Sequence, residues 1–324
     1  MDDIYLHPDF GYIRLEGLAD DLPDAINYVV SQIKGFVPTE AEFAKALQST
    51  KRADSMMRMG GGQTKDMFDE AYKSLLYQPA LFAEGPAELT YENLLSFVKE
   101  YFQPANMIVS ALSPVSPDSF FYLFKDFSST PVKDEPQVYQ KTLKLHEKEI
   151  TTEKQGDGKR SYLYWGFTKQ IDPADEPTIN ALSLILSDKI VFDIREKQGM
   201  AYRMSAGIEQ IKDRAAFYIN MGTRPQNVDV LLPQLPGFFS KKMLDSVTET
   251  DLEKSINMYL GRMMFRRLSS INRAFYLANS LYFNGDITSD KIFFEKLKKV
   301  KLPDVKLAAK KYMEIENPVT VIVR

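Results

Sequence analysis

The sequence predicts an α+β fold: an antiparallel sheet covered by helices, built as two tandem copies of one unit. Three observations carry this expectation: an internal repeat, short segments whose apolar residues alternate, and longer segments whose apolar residues recur at helical spacing. The repeat comes first. "TEAEFAKALQ" from Thr39 returns as "TETDLEKSIN" from Thr248, "KSLLYQ" from Lys73 as "NSLYFN" from Asn279, and "VKEYFQPANMIVSAL" from Val98 as "AKKYMEIENPVTVIVR" from Ala309, at offsets of 209, 206 and 211 residues. "GYIRLEG" at Gly11 parallels "AFYINMG" at Ala216. Residues 11–112 and 216–324 therefore form two copies; residues 141–210 precede the second, whereas ten residues precede the first. The first copy is expected to be truncated at its N-terminus, and the chain to be a piece of a longer tandem array or a subunit cut from one.

In the complete copy, alternation in "TLKLHEKEI" and "RSYLYWGF", on either side of the turn-forming "QGDGK", predicts a hairpin with Leu163, Trp165 and Phe167 on one face. A helix follows. Pro177 suits its first turn, Asp175 and Glu176 favour its positive end, and Ile179, Leu182, Leu186, Ile190 and Ile194 form one stripe. Gly199 is its expected stop. Strands are predicted in "MAYRMSAGIE" and "AAFYINMG", helices near 225–240, 248–283, 288–299 and 303–313, and a closing strand in "PVTVIVR". This order is that of an α+β unit. The expected division is a truncated first domain at 1–127, a polar, proline-bearing linker at 128–140, and a complete domain at 141–324; within the boundary region "FFYLFKDF" has a helical pattern.

Composition narrows the function. With 324 residues, 44% apolar content and 12% aromatics, the chain can bury sizeable cores, as a soluble globular protein of about two domains does. A formal charge of −3, with no basic stripe interleaved with aromatics, argues against nucleic acid as a partner. The start "MDDIYLHPDF" is acidic where a secretory signal is basic, and no apolar run approaches the ~20 residues a bilayer needs, so no membrane partner is expected. The absence of cysteine excludes disulfides, thiolate zinc sites and thiol nucleophiles. It leaves the compartment, cytoplasmic or periplasmic, open.

The run "DIREKQGMAYRMSAGIEQIKDRAAFYINMGTRPQNVDVLL", the segment "LTYENLLSFVKEYFQPANMIVSAL" and the repeat of roughly two hundred residues resemble the pitrilysin/insulinase family of inverted-motif zinc peptidases. "REKQGMAY" is the most specific element. The resemblance implies the pitrilysin-like metalloenzyme fold, shared with LuxS, in which four homologous domains form two bowl-like halves around a peptide. It implies zinc on an H-x-x-E-H helix of the N-terminal half. This chain resembles the other half: the back of the third domain and the whole of the fourth.

Zinc hydrolysis needs about three protein ligands and an open position for water. The chain has two histidines, His7 and His146, and "HEKEI" at 146–150 carries Ile150 where a second histidine would stand. It lies in a predicted strand, so His146 is expected to be a surface histidine and the chain to have no metal site of its own. Zinc is expected in the missing N-terminal half, and this chain alone is expected to be inactive.

In the resembling enzymes an arginine and a tyrosine at a seven-residue separation reach from the fourth domain toward the zinc site and contact substrate. The matching residues are Arg195 and Tyr202, with Gly199 supplying the turn between them. A guanidinium offers five donors and a phenol one. Donors preorganised where oxyanion charge develops are worth about 3–4 kcal/mol of barrier each. The competing account is ordinary structure: an arginine on a helix's negative end and a packed strand tyrosine.

Other patterns are weaker. "MGGGQTKD" at Met59 lacks the order of a phosphate loop. Arg262, Arg266 and Arg267, and Lys298, Lys299, Lys301, Lys306, Lys310 and Lys311, are solvated helix faces or a wall for acidic peptides. Asp172, Asp175 and Glu176 are helix-start charge without the ligand order of a calcium loop. Three functions stay in view: the substrate-clamping, non-catalytic half of a zinc metalloendopeptidase, paired with an N-terminal catalytic half in the same chain or another; a catalytically silent structural or assembly homologue; and a free-standing peptide-binding module using a sheet edge.

Overall fold

The computed structural model describes residues 3–6, 10–57, 63–78, 89–125 and 141–324. The expected linker at 128–140, His7 and the glycines of "MGGGQTKD" lie outside the described residues. In chain order the strands are β1 (Asp3–Leu6), β2 (Gly11–Arg14), β3 (Tyr77–Gln78), β4 (Thr142–Leu143), β5 (Ile150–Lys154), β6 (Ser161–Gln170), β7 (Ala201–Ile211), β8 (Arg214–Thr223) and β9 (Val319–Val323). The helices are α1 (Leu22–Gly35), α2 (Glu40–Met57), α3 (Gln63–Leu76), α4 (Tyr91–Tyr101), α5 (Pro117–Tyr122), α6 (Glu176–Val191), α7 (Val228–Leu231), α8 (Lys241–Asp245), α9 (Glu249–Arg266), α10 (Ser270–Asn284), α11 (Ser289–Leu297) and α12 (Leu302–Tyr312).

Packing divides the chain into two compact units: Met1–Lys51 with Leu81–Gln140 and Met263–Asp290, and Arg52–Ala80 with Lys141–Arg262 and Lys291–Arg324. Each unit draws on both copies of the repeat, since the first contains α10 and the second contains α3. The repeat is visible in local chemistry. Thr39 and Glu42 form a reciprocal capping box at the start of α2, with Thr39 N donating to Glu42 Oε2 at 2.8 Å and Glu42 N to Thr39 Oγ1 at 3.2 Å. Thr248 and Asp251 do the same before α9, at 2.9 and 3.2 Å. Two orphan amides are satisfied at the same place in each copy.

The second unit is built on a five-stranded sheet in the order β5-β9-β6-β8-β7, antiparallel except for the parallel pair β5–β9. Leu163, Trp165 and Phe167 of β6 share one face with Phe217, Ile219 and Met221 of β8, and the predicted α6 stripe, Ile179, Leu182, Leu186, Ile190 and Ile194, packs against them fully buried. Each such side chain removed from water contributes about 1.5–3 kcal/mol. Phe167 and Phe217 stack at 4.9 Å, closed over by Phe239. Gly207, at φ +142, lets α6 approach β7: an added Cβ would lie 2.7 Å from Ser183 Oγ, which accepts from Ile208 N at 2.8 Å.

Several expectations are corrected. β5 and β6 are not a hairpin, because β9 inserts between them and pairs with both. The ladder groups expected to face each other across "QGDGK" are taken by residues from the far end of the sequence. His146 is not on a strand; it lies in the connection between β4 and β5. The helix expected at 225–240 is one α-turn followed by 3₁₀ structure over Leu232–Phe239. Pro233 and Pro236 lack the amides an α-helix would use there. The helix expected at 248–283 breaks at Arg267–Ser269, and Ser269 caps α10.

In the first unit β1 and β2 pair antiparallel, Asp3 opposite Arg14 and Leu6 opposite Gly11. Phe275 of α10 meets Tyr12 edge-on at 5.2 Å, and Phe283 meets Phe10 at 5.9 Å. Met107–Leu112, the counterpart of β9 in the repeat, forms no strand, and Ile108, Val109 and Leu112 are exposed. Among the described residues this unit has no counterparts of β5 and β6 with which such a strand would pair.

Candidate functional site

The site is built where α6 ends. Its last turn widens into a π-turn over Phe192–Lys197, with Gln198 N donating to Asp193 O at 3.1 Å. Such single wide turns put an extra residue into a helix. The chain then reverses. Gly199 N donates to Arg195 O at 3.2 Å and Met200 N to Ile194 O at 3.1 Å, the two-bond closure of a glycine-ended helix made one residue wider. Gly199 has φ +63, a conformation that costs other residues about 1–2 kcal/mol. The buried Ile194 anchors the turn while Arg195, beside it, is exposed.

Tyr202 occupies a β-bulge. The register of β7 on β8 runs from Ala201 opposite Thr223 to Arg203 opposite Gly222, leaving Tyr202 as the extra residue. Bulges of this kind re-aim a side chain. Tyr202 is 67% exposed, and its hydroxyl accepts from Arg224 Nη2 at 2.8 Å. Two bonds fix this corner: Thr223 Oγ1 donates to Met200 O at 2.5 Å and Asn227 Nδ2 to the same carbonyl at 3.3 Å. The backbone entering Tyr202 and the loop carrying Arg224 are therefore pinned together.

The structure thus places Arg195 on the π-turn, Gly199 at its left-handed closure and Tyr202 in the bulge. It forms no hydrogen bond between Arg195 and Tyr202. Arg195 pairs instead with Glu196, Nε to Oε1 at 3.3 Å, and Tyr202 with Arg224. Arg224, Thr223 and Asn227 are the residues that sequence reasoning missed. A signal was present: β7 and β8 flank the two-residue Lys212–Asp213 turn, so counting back along both strands brings the "TRPQN" segment opposite Tyr202.

Among the described residues, the outer face of the sheet, away from α6, is covered at one end and open at the other. α3 seals the β9 and β6 end with Phe68, Ala71 and Leu76 against Tyr164, Val321 and Val323. Tyr164 stacks between Tyr72 and Tyr218, at 5.4 and 6.3 Å, and Tyr77 donates to Glu209 Oε2 at 2.6 Å. Burial raises the pKa of all four tyrosines, that of Tyr72 to about 12. At the β7 and β8 end Arg203, Ser205 and Arg224 are exposed.

Of the remaining candidates, the acidic group and Arg267 make structural contacts. Asp172 accepts from Ala174 N at 2.9 Å, and Asp175 accepts from Tyr312 at 2.7 Å and Lys311 at 3.0 Å. Arg267 pairs with Asp290 and covers the ring of Tyr276. Lys306, Lys310, Arg262 and Arg266 are exposed.

For zinc the donor set does not fit. His146 Nε2 is engaged with Leu75 O at 3.0 Å, and among the described residues no three His, Cys, Asp or Glu side chains gather around a common point. Among the described residues no helix is long and apolar enough to cross a membrane.

Comparison with known proteins agrees with this picture. Residues 88–259 match the model of the peptidase M16 inactive domain. An uncharacterized zinc protease of Bacillus subtilis, YmxG, is 23% identical over 188 residues, which are 56% of this chain and 45% of that protein. The chain thus spans less than half of that relative. Among solved structures, a protease from Helicobacter pylori superposes with TM-score 0.70 at 17% identity, covering 94% of this chain and 77% of that one. The periplasmic protease PqqL of Escherichia coli gives TM-score 0.70 at 14% identity, covering 94% of this chain and 35% of that one. A peptidase M16 inactive domain from Pseudomonas fluorescens gives TM-score 0.64 at 17% identity over 85% of this chain and 70% of its own. With more than half of its length matched, and with this α+β architecture around the Gly199 reversal, the chain belongs to the peptidase M16 inactive-domain family.

Proposed function

We propose that this chain is the non-catalytic C-terminal half of a zinc metalloendopeptidase, paired with an N-terminal catalytic half that holds the zinc, in the same polypeptide or a separate subunit. In this reading 1–127 and 141–324 are its two family domains. They form part of a chamber wall, and Arg195 and Tyr202 contact the peptide. The observation that carries it is Tyr202: an exposed phenol in a bulge, on a corner fixed by two bonds to Met200 O. Rigid support of that kind is what a positioned donor needs. The relative from B. subtilis, named a zinc protease, supports the catalytic partner. The Arg195–Glu196 pair is the observation that favours the silent structural homologue, because a donor already engaged is less available to substrate.

Peptide hydrolysis by the chain alone, and mixed with the polypeptide encoded immediately upstream, tests the reading. Cleavage should arise only in the mixture, be abolished by a chelator, and fall about tenfold or more in Arg195→Ala or Tyr202→Phe, each a lost transition-state donor. A mixture that associates without cleaving any peptide would establish the silent homologue instead.

A further inference from the structure

We propose that the open end of the outer sheet face selects peptides carrying a carboxylate beside the Tyr202 contact, and that Arg224 and Arg203 are the specificity residues that read it. This rests on the peptide-contact reading of Tyr202. The strand register supplies the placement. Ala206 and Ile208 of β7 are buried against the helices, so Arg203, Ser205 and Glu209 face the other way. On β8, Phe217, Ile219 and Met221 face the helices, which puts Tyr218, Asn220 and Gly222 on the outer face, with Arg224 continuing their alternation. Arg203 lies opposite Gly222, whose missing side chain is replaced by the ring of Tyr162 from β6, so no side chain of β8 itself stands between the two arginines.

Charge supplies the preference. Neither Arg203 nor Arg224 has an ion pair among the described residues, although the chain as a whole is negative. The neighbouring acids are already engaged: Glu196 by Arg195, Asp193 by Lys197 and Gln198, and Asp229 by Arg324. Arg224 is also oriented, since one Nη2 donor is spent on the Tyr202 hydroxyl and its backbone follows the pinned Thr223. The rest of its planar fork stays available to an acceptor, and a carboxylate is the group that such a fork meets bidentately. Because Arg224 donates to the phenol oxygen, the phenol's own hydrogen is left to donate to the same ligand. A neutral peptide would offer neither guanidinium a charged acceptor.

The test uses the full chain and short acetylated, amidated peptides of neutral polar sequence, with one Glu, Gln or Lys stepped through the central positions, and reads affinity by fluorescence anisotropy. At low salt the Glu peptide of one register should bind about fivefold more tightly than its Gln counterpart, with Lys weakest, as a charge-assisted surface contact predicts. The Glu-over-Gln ratio should collapse toward one in Arg203→Gln/Arg224→Gln, survive in part in Arg224→Lys, and shrink at high salt. Equal binding of Glu and Gln peptides in every register, with binding still weakened by Tyr202→Phe, would overturn the specificity and leave the peptide contact standing. No binding of any peptide, or binding indifferent to Tyr202→Phe, would overturn the contact reading itself and this inference with it. Unchanged thermal melting of the arginine variants would show that a lost preference is not a lost fold.

Discussion

The two ends of one sheet face are built in opposite ways. Where α3 crosses β9 and β6 the face is apolar and sealed, with Phe68 and Leu143 inaccessible and Tyr164 held between two other rings. Where β7 and β8 reach the Gly199 reversal it is polar, uncovered among the described residues, and edged by Arg203 and Arg224, neither of which has an acidic partner among them. The same pairing pattern runs through both. The difference lies in which side chains the strands carry and in whether a helix lies above them, so stability and the proposed peptide contact should be separable by mutation.

The largest expected effect breaks the sealed end. Phe68→Ala should cost about 3–5 kcal/mol of unfolding free energy, as for other fully buried aromatics. Denaturant titration would measure it, and peptide affinity of the still-folded variant should stay as it was. If affinity fell in parallel, the two ends would not be separable. Next, Gly199→Ala forces an L-residue into the left-handed region, and should cost about 1–2 kcal/mol. Here peptide affinity should fall as well, because the reversal carries Tyr202. The smallest effect is a pH dependence at the edge of the sealed end. Burial holds the pKa of His146 below its ordinary 6.5. The folded state therefore favours the neutral ring: its contribution is present above pH 6.5 and is lost as pH falls through the lowered value. Denaturant titrations at neutral and mildly acidic pH should show wild type losing more stability on acidification than His146→Gln. An equal loss would place the titration elsewhere.

Much of the fold was legible because it follows local periodicity. The alternation in "SYLYWGF" marks Leu163, Trp165 and Phe167 as one face, and the i, i+3, i+4 spacing from Ile179 to Ile194 marks the buried stripe of α6. The sheet order was not legible. That β9 enters between β5 and β6 is a property of residues about 150 positions apart, and a single strand pattern carries no address for its neighbour. The role of α3 was hidden for a similar reason: Phe68, Ala71 and Leu76 mark a face to be buried without naming what it is buried against. At the site, Arg195, Gly199 and Tyr202 were found through resemblance. Arg224 escaped because its partnership with Tyr202 exists only once two strands have paired. The π-turn has no residue type of its own to announce it.

The interior place of β9, between β5 and β6, has a consequence for synthesis. Its residues emerge roughly 150 positions after β6, which at ribosomal speeds is a delay on the order of 10 s. Throughout that interval β5 and β6 have been made but the strand that joins them has not, so the nascent sheet carries two unsatisfied edges flanking an empty lane. Such edges recruit foreign strands. Chaperone dependence during translation, and aggregation on abrupt refolding, are the expected costs of a sheet in which an interior strand is made after its neighbours.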